Sequence, residues 1–266
     1  MRVVLAVLRA NWLAAASYRM GMVFSMFSLV IGVIPLFFVS KALQPVMEGS
    51  IRTEGGQYFA FLLIGIIAFG FVTEALGSLP GALGGTISSG TLDTLLGTPS
   101  SPVAIFAGMT AYGYVWALAR TLVVLIVGSL LGARLAWSQL IIGLFIISLI
   151  VLTYTGLGLI SAAMIVAFRT DGPLRSGIIA ISTLLGGVYY PTSVIPSWLK
   201  SISAFVPLTY GLRALRNTVL DGEPLVSVLG DIGVLIGFIV LFAAIGLASL
   251  RAAFAYARRA GTVAQY

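Results

Sequence analysis

GGVYYPTSVIPSWLK, residues 186–200, closes an apolar run rich enough to enter a bilayer, and closes it with two tyrosines, two prolines, a tryptophan and a lysine. Pro191 and Pro196 each remove a backbone donor and stop a helix, and SWLKSISAFV then restarts one over 197–206. About ten residues cannot cross a bilayer, which needs about 20. Pro207 ends that short helix, and LTYGLRALRN, residues 208–217, is amphipathic, with Arg213 and Arg216 placed on one face. A helix stopped early, a short interfacial helix and a second helix leading back out predict a re-entrant hairpin on the external side. Tyr189, Tyr190 and Trp198 suit the aromatic belt at headgroup level, but a belt alone explains neither the prolines nor the short helix.

The rest of the chain has the composition of a bilayer protein. Of its 266 residues 59% are hydrophobic and 9% charged, where a soluble domain is about a quarter charged. The apolar runs are long and uninterrupted rather than short and alternating, so helices and not a barrel satisfy the backbone. The fold class is therefore an all-α integral membrane protein. Cysteine and histidine are both absent, which removes thiolate nucleophiles, imidazole bases and the usual zinc ligands. The eight acidic residues form no metal-binding spacing, and no nucleophile and base are paired for an intramembrane enzyme. The net charge of +7 is scattered, as basic flanks on an anionic leaflet would be, and gives no nucleic-acid footprint.

Residues 1–19 repeat apolar positions at helical spacing around Arg2, Arg9 and Arg19, predicting an amphipathic helix on the cytoplasmic face. Six spans follow, at about 20–40, 58–79, 103–131, 140–168, 176–190 and 228–250, with a basic tail over 251–266. Six spans place both termini on one side. Taken as cytoplasmic, that side holds Arg2, Arg9, Arg19, Arg169, Arg175, Arg251, Arg258 and Arg259, against Lys41, Arg52, Arg134, Lys200, Arg213 and Arg216 outside. The expectation is a multi-pass protein of the plasma (inner) membrane with both termini inside. It forms a single domain over 1–266: the interfacial helix, a bundle over 20–250 and the tail.

Two further features stand out from a plain bundle. PGALGGTISSGTLDTLLGTPSSP, residues 80–102, is too rich in Gly, Ser, Thr and Pro for a good bilayer helix. Its core has hydroxyl residues before an apolar run, Asp93 in the first turn and a stop at 97–99, which predicts a short surface helix whose leucines 92, 95 and 96 offer an apolar face. The second feature is a pair of intramembrane charges, Glu74 near the cytoplasmic end of its span and Arg120 near the middle of another. A charge at that depth costs about 2.5–3.5 kcal/mol, so each should face a cavity, a partner or an interface. Pairing with each other or snorkelling is the preferred reading, and contact of Arg120 with an anionic headgroup the other.

The two unusual segments together resemble the ABC-2 type permeases, the membrane subunits of ATP-driven exporters. Gly187, Pro191, Pro196, Pro207, Leu208, Thr209 and Arg216 match the family's external motif, and Gly90, Thr91, Leu92, Asp93, Pro99 and Pro102 its cytoplasmic one. The resemblance implies a permease dimer, of like or unlike copies, on two ATP-binding subunits. Gly90, Thr91, Leu92, Asp93, Leu95 and Leu96 would couple to the ATPase, and Pro191, Pro196, Trp198, Pro207, Arg213 and Arg216 would form an external gate. Many members carry a charged pair where this chain has Thr86–Ser89, which implies an uncharged docking surface. No G-x-x-x-x-G-K-[ST] phosphate loop is present, so ATP and magnesium would be bound by a partner and this chain would hold no cofactor and be no enzyme. The cargo implied is amphiphilic or hydrophobic: a lipid, glycolipid, drug or polyketide. The alternative is a secondary transporter or channel using Glu74 and Arg120, although the paired midplane breaks of such folds are missing.

Overall fold

The computed structural model describes residues 2–17, 19–52, 54–91, 102–168 and 173–259, and the regular structure among them is all helical. The helices are α1 (Arg2–Ser17), α2 (Arg19–Met47), α3 (Tyr58–Ser88), α4 (Pro102–Leu130), α5 (Leu140–Phe168), α6 (Leu174–Leu185), α7 (Ser197–Ser203), α8 (Pro207–Val219) and α9 (Leu229–Arg259). Short 3₁₀ turns lie at Trp137–Gln139, Thr192–Val194 and Leu225–Val228.

Five of these helices, α2, α3, α4, α5 and α9, are long and apolar enough to cross a bilayer. The chain is thus a multi-pass membrane protein. The expected fifth span is helical only over α6, whose 12 residues reach about 18 Å. α6 stops because Gly186 and Gly187 follow, Gly187 with φ +80°, and the chain then bends into the extended Pro191.

α3 is the axis of the bundle, and most of its apolar window is buried. It packs against α2, α4, α5 and α8, while α5 lies between α3 and α9. Among lipid-soluble helices the hydrophobic effect gives no preference for a neighbour, so close backbone approach decides the contacts. α5 and α9 cross at reciprocal glycines: a Cβ on Gly156 would stand 2.7 Å from the Phe242 backbone, and one on Gly246 2.5 Å from the Gly156 carbonyl. Gly158 in turn lies under the Ala75 carbonyl of α3. α1 is seated on the first half of α4, where Gly108 leaves room for Val7 and Trp12 meets Tyr112 edge-on at 6.3 Å.

Three boundaries differ from the sequence expectation. α2 runs through Pro45 to Met47 rather than ending near residue 40, because the Gln44 side chain holds the chain that follows, donating to the Gly56 carbonyl at 2.9 Å and accepting from the Tyr58 amide at 2.7 Å. α3 continues through Pro80 to Ser88. Its polar residues Thr86 and Ser88 bond back to the carbonyls of Leu83 and Gly85, so the hydroxyl-rich stretch completes the helix instead of breaking it. α9 extends to Arg259, since RAAFAYARR is strongly helix-forming and the expected tail is helical over its first half.

Candidate functional site

The hairpin begins where α6 ends and is assembled from both sides of the turn. Ser203 donates to the Leu185 carbonyl at 2.7 Å and Thr209 shares that acceptor at 3.3 Å, so one oxygen of α6 anchors both α7 and α8. α7 has seven residues rather than ten, because Val206 precedes Pro207 and is forced out of the helical region, with φ −94° and ψ 112°. Pro207 then occupies the first turn of α8, where a missing amide costs nothing. Pro191 and Pro207 are buried, whereas Pro196 and Trp198 are exposed, Trp198 alongside Ile202 and Phe205.

Arg216 is the centre of this end of the molecule. Its side chain is 2% exposed, and the guanidinium lies 3.4 Å from the centroid of the Phe61 ring. Nη1 donates to Glu54 at 3.0 Å, and Nη2 donates to the carbonyls of Gly187 at 2.9 Å and of Phe61 and Val188 at 3.3 Å. One side chain of α8 thereby ties the 48–57 loop, α3 and the hairpin turn together. Burial pushes Arg216 down to about 10 and Glu54 opposes that shift, so the guanidinium stays charged at neutral pH. Gly65 permits the arrangement, since a Cβ there would collide with the Val188 carbonyl and meet Nη2 of Arg216 at 3.1 Å. Tyr58 adds a bond from its hydroxyl to the Tyr189 carbonyl at 2.9 Å, and Gln57 crosslinks the 130–134 turn by donating to the Gly132 carbonyl and accepting from the Arg134 amide, both at 2.9 Å.

Arg213 does not share this environment, contrary to the reading of both arginines on one face. It is half exposed, donates through Nε to Asp231 at the start of α9 at 2.9 Å, and lies over the Tyr210 ring. The three-residue step carries the two side chains about 60° apart around α8, enough to separate an exposed rim from the core. Glu54 and Asp231, the partners, were not singled out in the sequence. The usable signal was that a buried arginine requires an acid, and that Glu54 stands just before Gly55 and Gly56, which both adopt positive φ and turn the loop back.

At the opposite end α3 closes with a Schellman cap. Gly90, with φ +65°, donates to the Ile87 carbonyl at 3.1 Å and Thr91 to the Thr86 carbonyl at 3.0 Å. Gly90 therefore serves first as a helix stop, and Thr91 is exposed beside it. Leu92, Asp93, Leu95 and Leu96 lie outside the described residues. Nearer the middle of the bundle Arg120 Nη2 stands 3.5 Å from Glu74 Oε2, with 35% and 22% of the side chains exposed. Gly113 makes room for this, because a Cβ there would strike the Glu74 carboxylate. Among the described residues no group of three or more acidic residues is close enough to hold a metal ion.

The ABC-2 type transporter family model matches residues 2–220, which include both capped ends of α3 and the whole hairpin through α8. Nodulation protein J of Rhizobium leguminosarum bv. viciae is 29% identical over 248 residues, covering 93% of each chain. The inner membrane transport permease YadH of Escherichia coli K12 is 26% identical over 194 residues, 71% of this chain and 73% of the relative. The linearmycin resistance permease protein LnrN of Bacillus subtilis is 27% identical over 116 residues, 44% of this chain and 30% of its own length. With a family model spanning most of its length and a hairpin built around the motif residues Pro191, Pro207 and Arg216, this chain belongs to the ABC-2 type transporter family and is a transport permease.

Proposed function

We propose that the chain is the translocating subunit of an ATP-driven exporter, working as a dimer with ATP-binding partner subunits and moving an amphiphilic or hydrophobic molecule outward. The observation that carries this reading is the continuity of α3. From Phe61, which touches Arg216, to Ser88, which precedes the 90–96 segment, one helix runs for about 40 Å. A push on its capped end is delivered to the hairpin without an intervening joint. α1, seated on α4, offers a second surface at the same end.

On this reading the partner ATPase grips the segment around Leu92, Asp93, Leu95 and Leu96 together with α1. Its closure shifts α3 and α4, and the Arg216 clamp transmits the shift to Pro191, Trp198 and Pro207 as the outer gate. Six membrane passes, α6 counted as a shortened one, leave both termini in the cytoplasm of a plasma (inner) membrane protein. The second permease copy packs on the apolar faces left open by α2 and α6, where Val23, Phe24, Phe27, Ile181 and Leu184 are exposed. The word resistance in the name of LnrN accords with removal of a compound from the cell.

The Leu92→Ala, Asp93→Ala double variant tests the coupling. Expected is ATP hydrolysis that no longer drives transport, with thermal stability of the purified protein unchanged. Wild-type transport in that variant contradicts the reading.

A further inference from the structure

A row of cavities follows the seam between α3 and α4. At the end nearer α1 it opens as a cleft of about 540 Å³ lined by Asn11, Glu74, Ser78, Gly85, Tyr112 and Trp116. Across the Glu74–Arg120 pair lies a second cavity, of about 130 Å³, between Arg120, Gly70 and Leu29. That cavity shares Ile67, Phe71 and Thr121 with an almost wholly apolar one of about 300 Å³, which reaches Leu144 of α5. Polar groups, an ion pair and hydrocarbon thus succeed one another along a single seam. Counted from Tyr58, Glu74 lies 16 residues or about 24 Å along α3, which with Tyr58 at one interface places it in the far half of a hydrocarbon core about 30 Å thick.

We infer that this row of cavities binds a glycerophospholipid of the inner leaflet with a zwitterionic ammonium–phosphate headgroup, the ammonium on Glu74, the phosphate on Arg120 and an acyl chain in the apolar cavities. Three observations support this occupant. Each charge of the pair lines its own cavity, so each has a free side toward a ligand. The pair is held by one 3.5 Å contact, and among the described residues neither side chain makes a hydrogen bond to another protein group, which leaves their donors and acceptors available. The pair is also neutral overall, so a headgroup with a single net charge would leave one charge uncompensated at the interface, whereas a zwitterion matches both. Tyr112 and Trp116 add aromatic surface beside the ammonium position. The site deepens the proposed transport function and rests on that reading only for which leaflet it faces.

The test reconstitutes the full chain in vesicles of mixed phosphatidylethanolamine and phosphatidylglycerol, extracts it in mild detergent and counts the lipids retained by native mass spectrometry. Wild type should retain phosphatidylethanolamine about fivefold above its bulk share. Gly85→Leu puts a branched side chain on the cleft wall, where its Cβ meets nothing within 4 Å, and should abolish the enrichment with melting temperature unchanged. Glu74→Gln leaves Arg120 alone and should turn the preference toward phosphatidylglycerol, an inversion that loss of a merely structural pair would not give. Retention at the bulk ratio in wild type, or enrichment undiminished in Gly85→Leu, overturns the site, and Gly85→Leu decides alone if Glu74→Gln does not fold. Leaflet is read separately: a Ser89→Cys label reacting with an impermeant maleimide only from the outside, with enrichment retained, would reverse the proposed orientation and overturn the inner-leaflet assignment while leaving the headgroup site.

Discussion

Arg216 ties together one end of the molecule, and its partners define what its loss would do. Truncating one member of a buried ion pair leaves an uncompensated charge and costs about 3–5 kcal/mol. Arg216→Met removes the charge but strands Glu54 and three carbonyls, so a drop in melting temperature of the detergent-solubilised protein is expected, together with faster proteolysis of the 186–206 hairpin. Glu54→Gln should lower stability less, since an amide still accepts from Nη1. Arg216→Lys should not rescue, because one ammonium nitrogen cannot stand both where Nη1 meets Glu54 and where Nη2 meets the three carbonyls, nor lie flat on the Phe61 ring. Arg216 was visible in the sequence as part of a motif, but its burial was not: the amphipathic pattern of α8 distributes Arg213 and Arg216 by spacing alone, and only the packing of α8 against α3 and α5 says which of the two is covered.

At the scale of elements, the breaks in the pattern were legible and their lengths were not. Pro191, Pro196 and Pro207 mark where α6, α7 and α8 are divided from one another, because proline acts locally. The extent of α3 beyond Pro80 and of α2 through Pro45 escaped, since each depends on contacts that no local rule contains: helix neighbours around a buried Pro80, and the Gln44 side chain reaching across to Gly56 and Tyr58. Two predictions belong here. Gly90→Ala forces φ +65° on a residue with a side chain, which costs about 1 kcal/mol. Faster hydrogen exchange over residues 86–91 should follow, with the core of α3 unaffected. For α7, the chain contains no cysteine, so a single cysteine at Trp198 or Phe205 can be spin-labelled without background. A helix lying at the outer leaflet should show both labels at shallow and nearly equal depth. Depths differing by the rise of a membrane-crossing segment would contradict the re-entrant hairpin.

The whole molecule is an apolar bundle whose polar investment is concentrated at its two ends and along one seam. One end is stitched by Arg216, Glu54, Gln44, Gln57 and Tyr58, and the other presents a capped α3 beside α1. The sequence contains no phosphate loop, so ATP-driven transport through this chain would need a motor on another subunit. The most direct measurement is to purify the tagged chain from its native membrane in mild detergent, identify the proteins that co-elute and assay ATP hydrolysis and transport after reconstitution. The expected result is a co-eluting subunit with a phosphate-loop sequence and transport that stops when its hydrolysis is blocked. Transport sustained by the purified chain alone, without any ATP-binding partner, would contradict it.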